Sequence, residues 1–198
     1  MTEVKEPNQI IGVFETLDQR LDFNKPRIEL DMGCGKGGFT VEVAKLYPEA
    51  LVMGADIKIG RLKKVNNKAA RAGAGNLETL HCLGWELFGF QLPDHCIDRV
   101  HVLCPDPWPK DKHRRNRMLS SEFIARVSRK IKKGGVLHLS TDDLPYLDWM
   151  KTVTAALPFL EPYPEGIADV AEFKTEFEIN FDIRDNKPVT HLGFKVLA

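Results

Sequence analysis

The segment at residues 105–110, Pro-Asp-Pro-Trp-Pro-Lys, brings together residue types that can do chemistry. Its three prolines cannot donate ladder hydrogen bonds, so the strand predicted over residues 97–104 must end there. Asp106 therefore lies just past the carboxyl end of a strand, where open α/β sheets bind ligands. A carboxylate followed by basic side chains indicates chemistry on a polyanion. A proline-rich turn leading into a solvated, charged helix is the structural alternative.

The total charge of the chain is balanced, with 28 Lys and Arg against 28 Asp and Glu. A neutral total argues against a protein that coats nucleic acid indiscriminately, so any contact with a polyanion must be local. One local group of basic residues follows directly after residue 109. Its members suited to holding phosphates beside an unstacked base are Lys110, His113, Arg114, Arg115 and Arg117.

A second ligand-binding pattern is the glycine turn at residues 33–38, between a predicted strand and a predicted helix. Gly33, Gly35 and Gly38 satisfy the G-x-G-x-x-G pattern of dinucleotide sites. Gly33, Gly35 and Gly37 satisfy the G-x-G-x-G pattern of S-adenosylmethionine sites. Glycine spacing alone does not choose between them, and a purely structural tight turn is a third interpretation.

Of two acidic residues near the turn, one favours S-adenosylmethionine and the other suits either ligand. Asp31 precedes the glycine turn and puts a carboxylate close to where a pyrophosphate would lie on the helix N-terminus, so it would repel a dinucleotide. The same carboxylate would attract the sulfonium and ammonium groups of S-adenosylmethionine. Asp56, at the end of the second predicted strand, suits ribose hydroxyls with either ligand.

Alternating strands and helices position these residues. We expect strands over residues 27–32, 51–56, 77–83, 97–104 and 136–141, and helices over residues 39–46, 58–72, 120–132 and 142–156, with Gly134 and Gly135 as the stop after the third helix. This order predicts an α/β fold with a doubly wound, mostly parallel sheet. At the C-terminal end we expect a surface loop over residues 157–168 and a pair of strands over residues 181–184 and 190–196, joined by a turn at residues 185–186.

Residues 1–26 read as a polar leader, and residues 27–198 as the main domain. Apolar residues between Ile10 and Leu17 predict a short amphipathic helix packed on that domain. The chain has no signal-peptide pattern and no apolar run of membrane-spanning length, so we expect a cytoplasmic protein with no membrane partner. Its four cysteines lack a zinc-binding spacing, so we expect free thiols and no metal.

Three separated motifs carry a resemblance to a known family. They are Pro-Asp-Pro-Trp-x-Lys-x-Lys-His at residues 105–113, Thr-Asp-Asp-Leu-Pro-Tyr at residues 141–146 and Thr-Glu-Phe-Glu at residues 175–178. With these motifs the chain resembles the bacterial tRNA (guanine-N7)-methyltransferases. The resemblance implies a class I, Rossmann-like fold, S-adenosylmethionine as cofactor, S-adenosylhomocysteine as product and tRNA as substrate.

The resemblance also implies roles for individual residues. Asp106 is the expected catalytic residue. The expected cofactor site comprises Asp31, Gly33, Gly35, Gly37, Asp56, Gly84 and Asp106. Besides the basic residues after residue 109, the expected substrate site comprises Asp142, Thr175, Phe177 and Glu178. The sequence departs from the family at Leu83, where an aspartate usually contacts the adenine end of the cofactor.

The reaction that the resemblance implies needs little acid–base work. Guanine N7 has a free in-plane lone pair, so catalysis would consist mainly of alignment and charge placement. Asp106 would orient the base and cofactor and stabilise positive charge on the purine, unless it only caps the next turn. Glu178 or Asp142 could accept hydrogen bonds from guanine N1–H and its amino group. A methyltransferase for another substrate, a non-catalytic RNA-binding relative and, less favoured, a dehydrogenase remain as alternatives, as do a monomer and a homodimer.

Overall fold

The computed structural model describes residues 9–12, 17–184 and 188–197. The strands are β1 (Ile10–Gly12), β2 (Ile28–Met32), β3 (Leu51–Asp56), β4 (Leu77–His81), β5 (Ile97–Leu103), β6 (Ile131–Thr141), β7 (Leu160–Pro162) and β8 (Thr190–Val196). The α-helices are α1 (Leu17–Arg20), α2 (Gly38–Leu46), α3 (Ile59–Ala72), α4 (Gly84–Glu86), α5 (Ser121–Lys130), α6 (Leu144–Ala155) and α7 (Glu176–Arg184). A π-helical turn spans Leu87–Gln91, and 3-10 helices span Asp111–Asn116 and Pro164–Val170.

The strands form one eight-stranded sheet in the order β1-β4-β3-β2-β5-β6-β8-β7. Neighbouring strands from β1 to β6 are parallel, whereas β8 is antiparallel to both β6 and β7. The predicted α/β, mostly parallel sheet with an antiparallel C-terminal strand is therefore confirmed. The strand order reverses between β2 and β5, and ligands of such folds bind at the carboxyl ends of the strands at that point.

Helices cover both faces of the sheet, so every residue of β2 and β3 is buried. One apolar core contains buried side chains of α2 and α3, and a second contains those of α5 and α6. Two helix starts follow from capping residues. The Ser120 hydroxyl accepts from the Phe123 N–H at 3.2 Å before α5, and the Asp143 carboxylate accepts from the Tyr146 N–H at 2.8 Å before α6.

The predicted leader helix is wrong at its start. Ile10 and Ile11 belong to β1, which pairs in parallel with β4, because β-branched side chains suit a sheet edge. The one-turn helix α1 begins at Leu17, the last residue of the expected span, and residues 13–16 lie outside the described ranges. The leader does contact the main body, since Ile11 and Leu17 are buried in the core that α5 and α6 share.

The predicted strand at residues 181–184 is also wrong, since these residues complete α7. Thr175 and Glu178 start this helix: the Glu178 N–H donates to the Thr175 hydroxyl at 3.1 Å, and the Glu178 carboxylate accepts from the Thr175 N–H at 2.7 Å. This reciprocal capping box sets a helical period that overrides the strand-like composition after it. The predicted turn at residues 185–186 lies outside the described residues.

Two further boundaries differ from prediction. The expected loop at 157–168 contains β7 and the beginning of a 3-10 helix. The expected stop at Gly134 and Gly135 lies inside β6, where the register with β5 shifts between Ile97 and Arg99. Across the described ranges, no helix combines the length and the apolar character needed to cross a lipid bilayer.

Candidate active site

Two adjoining cavities lie at the carboxyl ends of β2, β3 and β5. The first, of about 270 Å³, is lined by Asp31, the glycine turn and the first residues of α7. The second, of about 590 Å³, is lined by Asp56 and the segment from Leu103 to Trp108. Gly33, Arg61 and Phe177 line both cavities. They therefore form one cleft with two compartments, at the strand-order reversal where the fold predicts a ligand.

Asp31 is a buried carboxylate at the end of β2 that faces the first compartment. Its Oδ2 accepts a hydrogen bond from the Thr40 hydroxyl at 2.5 Å. Burial raises the pKa of Asp31 to about 7; the Thr40 hydrogen bond opposes this rise, and the charges of Glu176 and Asp56 add to it. A cation bound beside Asp31 would relieve this penalty, so the compartment favours a positively charged ligand.

The glycine turn holds α2 close to α3. Gly37 has a φ of 77°, and a Cβ built on it would lie 2.7 Å from Val65, so only glycine fits there. A Cβ on Gly38 would lie 3.1 Å from the Glu176 carboxyl carbon. The Glu176 carboxylate, which forms an ion pair with Lys68, thus lies at the start of α2. Helices bind phosphate at this place, so a second carboxylate here disfavours a dinucleotide.

Asp56 is buried at the end of β3 and holds three neighbouring groups. Its carboxylate accepts from the Lys58 N–H at 2.8 Å and from the Gly35 N–H at 3.2 Å. It also pairs with the Arg61 guanidinium at 3.2 Å. Asp56 thereby fixes the glycine turn and places Arg61 in the cleft.

Asp106 is exposed and lines the larger compartment. Its carboxylate has no hydrogen bond or ion pair within the described part of the chain, which leaves it available to a ligand. Two non-glycine residues around it, Cys104 and Trp108, have φ values of 46° and 45°. Such strained backbone persists only where surrounding structure imposes it, and it concentrates at functional sites.

Arg117 has a different place from the one predicted. It is buried, its Nε donates to the Pro107 carbonyl at 2.8 Å, and its guanidinium lies 4.8 Å from the centre of the Tyr146 ring. These contacts hold the proline segment from behind, so Arg117 as placed does not reach a ligand in the cleft. Of the other predicted basic residues, Lys110 and Arg115 are exposed.

His113 packs edge-on against Trp108, with ring centres 5.7 Å apart. Arg114 belongs to the 3-10 helix Asp111–Asn116, but its side chain lies outside what the structure describes. The predicted basic strip therefore begins beside the cleft and continues on a short helix whose last residue, Asn116, lines the larger compartment.

The other predicted substrate residues divide into two groups. Asp142 and Phe177 line the larger compartment, and Thr175 lines the smaller one. Glu178 is buried beneath the cleft, and both its oxygens are occupied, by His191 and by the Thr175 N–H. The structure therefore does not bring Glu178 to the position from which it would contact a base directly.

Gly84 and Leu83 lie outside both compartments. Gly84 is buried, and a Cβ on it would lie 3.2 Å from Phe123, so its small size serves packing against α5. Leu83 is 52% exposed, and its N–H donates to the Glu86 carboxylate at 3.3 Å. These contacts do not place Gly84 beside either compartment of the cleft, where the predicted contact with the cofactor would be made.

Arg61 lines the cleft although no role was expected for it, and Glu176, which belongs to the segment 175–178 expected on the substrate side, lines the smaller compartment. Arg61 belongs to the first turn of the helix after Asp56, a position from which a side chain can return to the strand end. The short distance along the chain between Asp56 and Arg61 could have indicated this contact from the sequence. Glu176 reaches the glycine turn only through the tertiary placement of α7, which no local pattern reveals.

The sheet order and the acidic cleft define a Rossmann-like methyltransferase fold. Solved structures of methyltransferases share it. The 16S rRNA methyltransferase KamB superposes with a TM-score of 0.63 and 20% identity, covering 91% of this chain and 93% of that one. An antibiotic-related methyltransferase superposes with a TM-score of 0.64 and 14% identity, covering 98% and 99%.

The chain belongs to the family described as putative methyltransferase, whose match spans residues 25–191. A tRNA (guanine-N(7)-)-methyltransferase of Marinobacter nauticus is 31% identical over 79% of this chain and 63% of its own length. One of Pseudomonas putida strain F1 is 33% identical over 71% of this chain and 58% of its own length. The chain thus spans less than two thirds of the length of these two curated relatives.

Proposed function

We propose that the protein transfers a methyl group from S-adenosylmethionine to N7 of a guanine in tRNA. The observation that carries this proposal is the cleft itself, where Asp31 and Glu176 flank the glycine turn and Asp106 lines the adjoining compartment. The names of the curated relatives support the same reaction. We further propose residues 27–198 as the catalytic domain, with the preceding segment packed on it, and the cytoplasm as the place where it meets tRNA.

The residues of the smaller compartment fit a cationic cofactor. Asp31 and Glu176 are acids at the glycine turn, and Asp31 is a carboxyl whose pKa of about 7 marks an uncompensated negative site. Asp56 would accept a hydrogen bond from a ribose hydroxyl with its one remaining lone pair. S-adenosylmethionine would supply an electrophilic methyl group when bound there.

The larger compartment would hold the acceptor base. Asp106 and Asp142 are carboxylates on this side of the cleft, and Phe177 offers a partly exposed ring between the two compartments. Asp142 would accept from guanine N1–H and the amino group, and Asp106 would stabilise the positive charge that develops on the purine. Because N7 has a free lone pair, no side chain has to remove a proton before the transfer.

The tRNA would be held by the basic strip that leads away from Trp108. Lys110 directly precedes the 3-10 helix and Arg115 lies on it. Both side chains are exposed, so they can contact phosphates without a change in the backbone. Phosphate contacts of this kind fix register and orientation but carry no base specificity. Selection of guanine would therefore depend on Asp142 and the shape of the larger compartment.

Nucleoside analysis of tRNA tests the proposal. The purified chain is incubated with S-adenosylmethionine and an unmodified tRNA transcript, and the digested RNA is examined by mass spectrometry. We expect 7-methylguanosine from the native chain and little from Asp106→Asn. Methylation of another nucleoside would contradict the assignment of the base, and S-adenosylmethionine binding without any methylated RNA would contradict the assignment of RNA as substrate.

A further inference from the structure

A continuous chain of hydrogen bonds crosses the sheet beneath the cleft. It runs from Glu29 to His101 at 2.8 Å, on to His138 at 2.9 Å, on to His191 at 2.9 Å and ends at Glu178 at 3.1 Å. The sheet register creates it, because His101 pairs with His138 and Ser140 pairs with His191 on adjacent strands. Both carboxylates and the first two imidazoles are buried.

Counting protons fixes the charge of this chain. Each of the four contacts in this chain joins two atoms that both have lone pairs. One proton must therefore lie between the two atoms of each contact for the contact to be attractive. Three neutral imidazoles supply only three N–H protons. A fourth proton is required, because without it one ring nitrogen would face a carboxylate or another ring nitrogen with lone pairs on both sides. The geometry thus describes three rings that together carry one positive charge between two carboxylates.

The surroundings disfavour a positive charge on two of the three rings. Burial and the neighbouring rings lower the pKa of His138 well below its usual value, and burial lowers that of His101 despite its bond to Glu29. Arg99, which donates to Glu29 at 3.0 Å, adds a positive charge at the His101 end. At the other end of the chain, His191 faces the Glu178 carboxylate.

The chain matters to the cleft because Glu178 is half of the capping box that starts α7. Glu178 binds Thr175, and the two residues between them, Glu176 and Phe177, line the cleft. We propose that His191, oriented by its hydrogen bond to His138, is a positioning residue that ties the first turn of α7 to the sheet. This inference rests on the proposed function, since it assigns the tie to the acceptor and cofactor sites of that reaction.

Two substitutions separate this role from simple packing. His191→Gln places an uncharged N–H donor where Nε2 lies, so it should retain the tie and a KM for tRNA close to the native value. His191→Leu removes the donor and should raise KM for tRNA roughly tenfold, as expected when a hydrogen bond to a charged group is lost. His95→Asn is the matched control, an exposed histidine that bonds the Ile131 carbonyl away from the cleft. Equal KM values in the Gln and Leu variants would overturn the proposal.

Nuclear magnetic resonance gives a readout without any activity. In the full chain labelled with ¹⁵N-histidine, we expect His191 Nε2 to carry a proton that is hydrogen-bonded to the Glu178 carboxylate. An unprotonated Nε2 would overturn the inference whatever the substrate is. Failure of the methylation assay with that proton present would instead count against the proposed function alone.

Discussion

Asp106 is the residue on which the proposed chemistry depends most directly. Asp106→Asn keeps the size of the side chain and removes its charge, so kcat should fall about a hundredfold, the scale measured when one electrostatic stabiliser is removed. Binding of S-adenosylmethionine should change by no more than a few-fold. Steady-state kinetics measure both effects. Asp148→Asn, at an exposed aspartate on α6, is the control and should behave like the native chain.

Asp31 predicts a pH dependence of cofactor binding. Its pKa of about 7 means that the carboxyl is largely protonated at pH 6 and largely ionised at pH 8. A cationic ligand binds the ionised form, so affinity should rise by up to about tenfold per pH unit below that pKa and then level off, with proton release on binding.

Calorimetry in buffers of different ionisation enthalpy measures that proton release. Asp31→Asn keeps the hydrogen bond from Thr40 and removes the titration. Its affinity should be weak and almost independent of pH between 6 and 7. An Asp31→Asn protein with the native pH profile would refute the assignment.

The glycine turn makes a prediction at the scale of elements. Gly37→Ala forces a Cβ against Val65 and a strained φ, so unfolding free energy should fall by about 1–3 kcal/mol. Gly60→Ala, in α3 where nothing lies within 4 Å of the added Cβ, should instead be neutral or stabilising by up to about 1 kcal/mol. Urea unfolding of both variants checks the contrast, and equal losses would show that the close approach of α2 and α3 is not tight.

Elements of the sheet core were predictable because their signals are local. β2 ends at the glycine turn and β5 at the proline segment, two recognisable breakers, and the apolar run of β3 matches its burial on both faces. The strand predicted at residues 181–184 failed because its composition was read without the Thr175 and Glu178 capping box before it. The leader helix failed because pairing with β4 decides the state of Ile10 and Ile11, and that contact is not local.

The site residues also divide into those that local sequence signals place and those that depend on tertiary contacts. Asp31, Asp56 and Asp106 could be placed from the sequence, since each ends a strand and strand ends meet at one edge of a parallel sheet. Arg117 and Glu178 could not be placed, because a basic or acidic residue in a motif reads the same whether it faces a ligand or supports the backbone behind it. The position of the Glu176 side chain and the alignment of the three histidines follow only from the tertiary structure.

At the scale of the whole molecule, the balanced charge predicts that RNA affinity depends on few residues. Lys110→Glu and Arg115→Glu should each weaken tRNA binding about three- to tenfold and reduce the steepness of its salt dependence. Lys133→Glu, at an exposed residue near the amino end of β6, should have little effect because it lies at the opposite edge of the sheet. Filter binding across a salt series measures this difference, and equal losses in all three variants would contradict a local RNA surface.

Cofactor selection is the central claim, and one titration measures it directly. Isothermal calorimetry of the purified chain against S-adenosylmethionine and against NAD⁺ compares a cationic methyl donor with a pyrophosphate ligand at the same glycine turn. We predict binding of S-adenosylmethionine, lost in large part in Asp31→Asn, and no measurable heat with NAD⁺. Binding of NAD⁺ as tightly as S-adenosylmethionine would contradict the assignment of the acidic cleft to methyl transfer.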